Sequence, residues 1–254
     1  MNKRIRIGAV SYLNTRPLIW GIKNSGLISE IDLTEDYPAK IAEKLINDEI
    51  DAGLIPVAMI PALKDPHIIS DFCIGAEGDV ASVAIFSDVP IEQIEKVLLD
   101  YQSRTSVNLA RVLLKYFWKK EVFFEDTSSG FRDKIKGTTA GVVIGDRALE
   151  QLRHSAYVYD LAGAWKKYTG LPFVFAAWVA NKKLDAGFIN DFNQANEYGL
   201  AHLDEIIPGI TFDVYDLQTY YTQNLSYSLT DEKRKGLELF LKMLNDIKKE
   251  EDKA

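Results

Sequence analysis

A single cysteine, Cys73, stands in a chain of 254 residues, so no internal disulfide can form and no thiolate metal cluster can be assembled. Histidine is almost as scarce: His67, His154 and His202 lie far apart, without metal-ligand spacing, and no metal site is expected. Neither glycine-rich phosphate loop is present, G-x-x-x-x-G-K-S/T or G-x-G-x-x-G, which removes the common nucleotide-binding readings. G-x-S-x-G, H-E-x-x-H and C-x-x-C are also missing, and with them the hydrolase elbow, the helical zinc site and the redox pair. No apolar run is long enough for a membrane span, and the opening M-N-K-R-I-R-I-G-A-V has too short an apolar stretch for a secretory leader. Positive charge is in deficit: 30 Lys and Arg face 37 Asp and Glu, for a net charge of −7, and no basic cluster stands clear of acids. A nucleic-acid partner is therefore not expected, nor a membrane, and the expected location is the cytoplasm. Oligomeric state is not legible.

What is present is an ordinary globular balance, 47% hydrophobic and 26% charged. Ile5 to Val10 reads as a buried strand, entered almost at once from the amino terminus, and a helix follows near Pro17. Ile31 to Glu35 alternates like a strand, Pro38 opens a helix with Ile41, Leu45 and Ile46 on one face, and residues 51–55 form another strand. Such a β-α-β-α-β succession predicts parallel strands covered by helices. Further strands are expected at 80–86, 97–99, 122–124, 139–144, 156–159 and 173–180, with an amphipathic helix over 105–116. Everything after Leu184 reads as helix, ending in a frayed K-K-E-E-D-K-A tail. No linker separates the two β-α regions, so the lobes are expected to interrupt one another. Val80–Phe86 and Phe173–Ala180 are the candidate crossing strands. One lobe would then hold 1–84 with 178–254, the other 85–177, with a ligand cleft between them.

Ligands of open α/β sheets bind beyond the carboxyl ends of strands. Four polar clusters fall at such strand ends or entries: S-Y-L-N-T (11–15), D-V-A-S-V (79–83), S-R-T-S (103–106) and G-D-R-A (145–148). Ser11, Tyr12, Asn14 and Thr15 are either a helix cap or ligand contacts. Ser103 or Thr105 can cap the next helix, while Arg104 and free backbone N–H groups suit a carboxylate. Asp146 reads first as an N-cap, Ser82 as a lone hydroxyl inside an apolar strand, and Trp165, Phe173, Phe175 and Trp178 as core before pocket lining.

Six ordered blocks carry a resemblance: V-S-Y-L-N-T-R-P-L (10–18), D-A-G-L-I-P (51–56), S-V-A-I-F-S (82–87), L-D-Y-Q-S-R-T-S (99–106), I-G-D-R-A-L (144–149) and D-L-A-G-A-W-K-K-Y-T-G-L-P-F-V-F-A-A-W (160–178). Together they resemble the chorismate dehydratase family of the futalosine route to menaquinone. The resemblance implies an α/β, two-lobed clamshell of the type II periplasmic-binding-protein kind, with mixed, mostly parallel sheets, two crossing strands and a helical carboxyl terminus. It implies a cofactor-independent hydro-lyase that takes chorismate to 3-[(1-carboxyvinyl)oxy]benzoate. Asn14 and Ser82 would be catalytic. Ser11, Tyr12, Thr15, Ser103, Arg104, Thr105 and Ser106 would bind substrate, and Asp146, Phe175 and Trp178 would join them. Two alternatives stay open: the sister lyase that makes 1,4-dihydroxy-6-naphthoate from cyclic dehypoxanthine futalosine, and a non-catalytic small-anion binding protein. The sister's S-x-C-P-N-D motif fits less well than S-Y-L-N-T.

Overall fold

A computed structural model describes residues 4–252, and within them the chain forms two compact units. The first unit takes Met1–Gly75 and Val174–Thr230, the second Ala76–Phe173 and Asp231–Ala254.

In the first unit, β1 (Ile5–Val10), α1 (Arg16–Lys23), β2 (Ile31–Asp36), α2 (Pro38–Ile46) and β3 (Ala52–Pro56) follow the expected alternation. β2 and β3 flank β1, both parallel to it. β3 is buried at every position, as a central strand covered on both faces must be. Proline stands in the first turns of α1 and α2, where its missing N–H has no intrahelical role. β4 (His67–Ala76), β10 (Phe173–Ala180) and β11 (Ser226–Ser228) complete a mixed sheet of six strands in the order β11-β4-β10-β3-β1-β2.

α6 (Ala186–Ala201) is capped by Asp185, whose carboxylate accepts from the N–H groups of Gly187 and Phe188. It packs backbone to backbone on α1. A Cβ at Gly21 would lie 2.0 Å from the Ala195 carbonyl oxygen, and one at Gly199 would lie 1.9 Å from that of Pro17. α7 (Leu203–Ile206) and α8 (Leu217–Thr219) follow, the latter running into a π-helical turn at Tyr220–Asn224.

The second unit holds β5 (Val83–Ser87), β6 (Lys96–Leu99), α3 (Thr105–Tyr116), β7 (Phe123–Asp126), β8 (Thr139–Ile144), α4 (Asp146–Gln151), β9 (Tyr157–Asp160), α5 (Leu161–Thr169) and α9 (Asp231–Glu251). Its five strands lie in the order β7-β6-β8-β5-β9. β6 is parallel to β7 and β8, whereas β5 is antiparallel to β8 and β9. The carboxyl ends of β6, β8 and β9 and the start of β5 therefore share one edge.

One passage between units falls at an expected crossing strand, β10, and two do not. The chain first passes at Gly75, the end of β4, a strand hidden by Ser70 and Asp71 in mid-run; residues 83–87 lie in the second sheet. The second passage is at the start of β10. A third, at Thr230, takes α9 into the second unit rather than leaving 178–254 in the first. The cause is packing: Phe240 meets Trp165 and Phe173 edge-on at 6.2 and 5.1 Å, and Arg111 and Lys115 of α3 pair with Glu251 and Glu250. The tail expected to fray is helical to Glu251; residues 253–254, like the opening residues 1–3, lie outside those described. β11, inside the stretch read as all helix, is three residues long and has too few positions to show a period.

Candidate functional site

On the first unit, S-Y-L-N-T begins where β1 ends, and Leu13–Thr15 closes into a single 3-10 turn. Thr15 is 1% exposed, and its hydroxyl donates to the Val10 carbonyl and, at 2.8 Å, to that of Tyr12. Two distant phenols hold the turn from the other side. Tyr221 donates to the Leu13 carbonyl at 3.0 Å, and Tyr227 to the Asn14 carbonyl at 2.8 Å. Burial pushes the Tyr227 phenol well above its usual range, so it remains a donor. The turn thus fixes Asn14, yet its Oδ1 is enclosed with no donor among the described residues. An unmet buried acceptor costs about 1–3 kcal/mol, which a bound donor recovers. Ser11 and Tyr12 line a cavity of about 430 Å³ with Arg16, Trp20 and Lys23.

On the second unit, three polar loops meet at the shared sheet edge, and two buried carboxylates tie them together. Asp100, 1% exposed, follows β6 and accepts from the N–H groups of Gln102 at 3.1 Å and Ile144 at 3.2 Å. Arg147 of α4 donates to both Asp100 oxygens, at 3.0 and 2.9 Å, and to Gln102 Oε1 at 2.7 Å. Burial pushes the Asp100 carboxyl up, while Arg147 and the two N–H groups pull it back. Arg147 is thereby committed inside the unit. The Arg104 guanidinium is exposed and has no ion-pair partner among the described residues.

Asp160, at the end of β9, is the second tie. Its Oδ1 caps α5 through the N–H groups of Ala162 and Gly163, both at 3.0 Å, and its Oδ2 accepts from Ala81 at 2.8 Å. Burial pushes this carboxyl up to about 6, against the N–H groups of Gly163, Val80 and Ala81; nearby Asp79 adds to the rise. Ser82 lies beyond that anchor, its carbonyl accepting from Gly145 at 2.8 Å. Among the described residues no three His, Cys, Asp or Glu side chains group as a metal site. No described helix is long and apolar enough to cross a membrane.

The model of a family described as menaquinone biosynthesis matches residues 5–246. The chain belongs to the menaquinone-biosynthesis family. Two relatives named chorismate dehydratase resemble it over nearly its whole length. The Thermus thermophilus protein is 24% identical, covering 94% of each chain, and the Campylobacter jejuni protein is 25% identical, covering 92% of this chain and 95% of its own. Among solved structures, an Archaeoglobus fulgidus protein superposes with a TM-score of 0.77 at 13% identity, covering 96% of this chain and 97% of its own. A Candida albicans protein described as having the generic periplasmic binding protein fold gives 0.61 at 14% identity, covering 96% and 95%. The fold of this family member is the binding-protein-like α/β architecture expected.

Within that family frame the site residues sort by what they already bond. Ser103 Oγ accepts from the Ser106 N–H in the first turn of α3 at 3.0 Å, although the cap position itself is Arg104; Ser103, Thr105 and Ser106 are 5%, 2% and 4% exposed. Thr15 is committed to its own turn and does not cap α1. Asp146 is the first residue of α4, not its cap; that place belongs to Gly145, at φ 64°. Ser82 precedes β5 rather than lying inside it, and at 1% exposure it does not face solvent. Trp178 and Phe175 point to opposite faces of β10, so the structure does not bring them together. Trp178 is a packing residue: it is fully enclosed, donates to Asn196 Oδ1 at 3.2 Å and meets Phe192 edge-on at 4.9 Å.

Asp100, Arg147, Asp160, Tyr221 and Tyr227 were not singled out from sequence. The first three lie inside the quoted blocks, as charged residues at strand ends, and that position was their only signal. The tyrosines are more than two hundred residues from the turn they hold, beyond the reach of any local pattern.

Proposed function

We propose that the chain is a chorismate dehydratase, removing the C4 hydroxyl and the C3 hydrogen of chorismate to give 3-[(1-carboxyvinyl)oxy]benzoate and water. The observation that carries this reading is Asn14, an amide fixed in the family's S-Y-L-N-T block with its oxygen enclosed and unmet. That acceptor suits a substrate hydroxyl. On the second unit, Arg104 and the Ser103 hydroxyl are assigned to one substrate carboxylate, and Ser82 to a remaining polar group. Ser11 and Tyr12 are assigned to the substrate's periphery. Thr15 and Trp178 support their surroundings.

The chemistry asks for positioning more than for a strong base. The C3 proton is conjugated through the ring with the C1 carboxyl group, and loss of water makes the ring aromatic. The proton acceptor in this reading is the substrate's enolpyruvyl carboxylate, held over C3. The electron pair of that C–H bond enters the ring as the C4–O bond breaks, and the proton and hydroxide leave as water. The reaction as written needs no cofactor, and the cytoplasm is the location assigned.

The test is incubation of the purified protein with chorismate, followed by ultraviolet absorbance and mass. An aromatic product one water lighter is expected. Binding without turnover would favour a small-anion receptor, and turnover of cyclic dehypoxanthine futalosine alone would select the sister lyase. Within an active enzyme, Asn14→Ala should lower kcat/KM by about tenfold, the scale of losing one hydrogen bond that holds the substrate. Full turnover in that variant would remove Asn14 from the centre of the mechanism.

A further inference from the structure

Four residues, Asp79 to Ser82, form a clip of unusual conformation at the entry to β5. Ala81 has φ 62°, a region that costs any residue with a Cβ. Across it the Ser82 N–H donates to the Val80 carbonyl at 2.7 Å, a two-residue closure that makes this a γ-turn of the rare, strained hand. Strain of this kind persists only where the surroundings over-determine it.

The surroundings do so here, from named groups. Asp160 Oδ2 accepts from the Ala81 N–H at 2.8 Å, and the Val80 N–H also reaches that carboxylate. The other Asp160 oxygen is fixed on the first turn of α5 by Ala162 and Gly163. Asp79 docks on the same turn: a Cβ at Gly163 would lie 1.7 Å from its Oδ1, so a side chain there would displace the Asp79 carboxylate. Beyond the turn, Gly145 holds the Ser82 carbonyl at 2.8 Å, and Ser82 itself is 1% exposed. The start of the clip is thus seated on α5, its centre is held in a left-handed conformation by Asp160, and its last residue is tied to the β8–α4 loop.

We propose that Asp160 is a positioning residue for the reaction: through the Ala81 N–H it holds the strained turn that sets the place of Ser82. This rests on the chorismate reading, because it gives Ser82 something to act on. Asp160 touches no reacting atom in this account. An unstrained turn would carry Ser82 to a different place, and the family's D-L-A-G-A-W block would serve to build the clamp rather than to bind substrate.

The experiment is steady-state turnover of chorismate by the native enzyme, Asp160→Asn, Ala81→Gly and the double variant, with thermal midpoints for each. Asp160→Asn presents an amide N–H where Ala81 or the helix needs an acceptor, and kcat should fall at least tenfold while KM changes less than threefold. Ala81→Gly removes the conformational cost of the left-handed turn, so the double variant should regain at least a third of the lost kcat. A residue serving fold stability alone would lower the thermal midpoint and show no such rescue of kcat by glycine. Unchanged kcat in Asp160→Asn, or a double variant no better than the single one, overturns the proposal. If Asp160→Asn does not fold, Ala81→Val decides, since a β-branched residue resists the left-handed turn; full kcat there also overturns it. A native enzyme inert on chorismate would instead remove the functional reading, a distinguishable failure.

Discussion

Side chains that hold the Asn14 turn do so with hydroxyl protons given to backbone carbonyls. The Asn14 and Leu13 carbonyls depend on Tyr227 and Tyr221, at 2.8 and 3.0 Å. Tyr227→Phe removes the donor and leaves its partner carbonyl unmet, so a loss of about 1–3 kcal/mol is expected in urea unfolding. The same variant should lower chorismate turnover, because the carbonyl it frees belongs to Asn14 itself; a stability loss with unchanged kcat would show that the turn keeps its place without the phenol. Acid titration probes a different residue. The Asp160 carboxyl ordinarily titrates near 3.8 and is pushed up to about 6 by burial. Below pH 3.8 it is neutral in both states and costs nothing. As pH rises the unfolded chain releases this proton first and the folded protein only near 6, so the stability present in acid is lost through that window, by about 3 kcal/mol. Asp51 works in the opposite sense: burial would raise it, but Arg6 and Lys182 hold it well below the usual carboxylate range, and its contribution is lost as pH falls. The measurement is therefore a difference, the pH dependence of unfolding free energy for the native protein minus that for Asp160→Asn. A flat difference between pH 4 and 6 would contradict the raised value.

Secondary elements were legible wherever local chemistry decides them. Pro17 and Pro38 mark helix starts because their rings suit a first turn, and Leu109, Val112 and Leu113 repeat on one face of α3, all buried. Legibility fails where a distant partner decides. Gly145, not Asp146, occupies the cap position of α4, its N–H reaching back to the Ser82 carbonyl and its φ at 64°. A pattern of side chains carries no record of such a bond. The helix pair α1 and α6 makes the same point through absent atoms. Gly21 and Gly199 let two backbones meet where a Cβ would come within 2.0 and 1.9 Å of a carbonyl oxygen. Backbone cannot yield as a flexible side chain can. Gly199→Ala should therefore destabilise by about 3 kcal/mol, at the upper end for overpacking, even though alanine favours a helix. Urea unfolding monitored by circular dichroism gives the value, and a more stable variant would mean that the two helices separate easily.

At the scale of the molecule, alternation of strands and helices was enough to reveal interrupted α/β units but not which unit owns the last helix. An amphipathic helix announces that it has an apolar face, and nothing in its period says what that face covers. Residues 231–251 present Leu237, Phe240 and Leu244 as buried positions, a pattern equally suited to either sheet. What assigns α9 is shape at the far end: Phe240 fits edge-on against both Trp165 and Phe173, and Gly236 admits the Pro172 backbone, with a hypothetical Cβ 2.3 Å from its carbonyl oxygen. The second unit therefore closes its core with a segment that follows, in the chain, every strand of the first unit. Phe240→Ala should cost about 3–5 kcal/mol, the range for emptying a packed aromatic site. The loss should also be local in its first appearance. Amide exchange is expected to quicken in α5, α3 and α9, while β1 and β3 of the first unit keep their protection, because their core contains neither Trp165 nor Phe240. Equal quickening in β1 and β3 would mean that the two units open as one cooperative body, and α9 would then be a brace for the whole chain rather than the final wall of one unit.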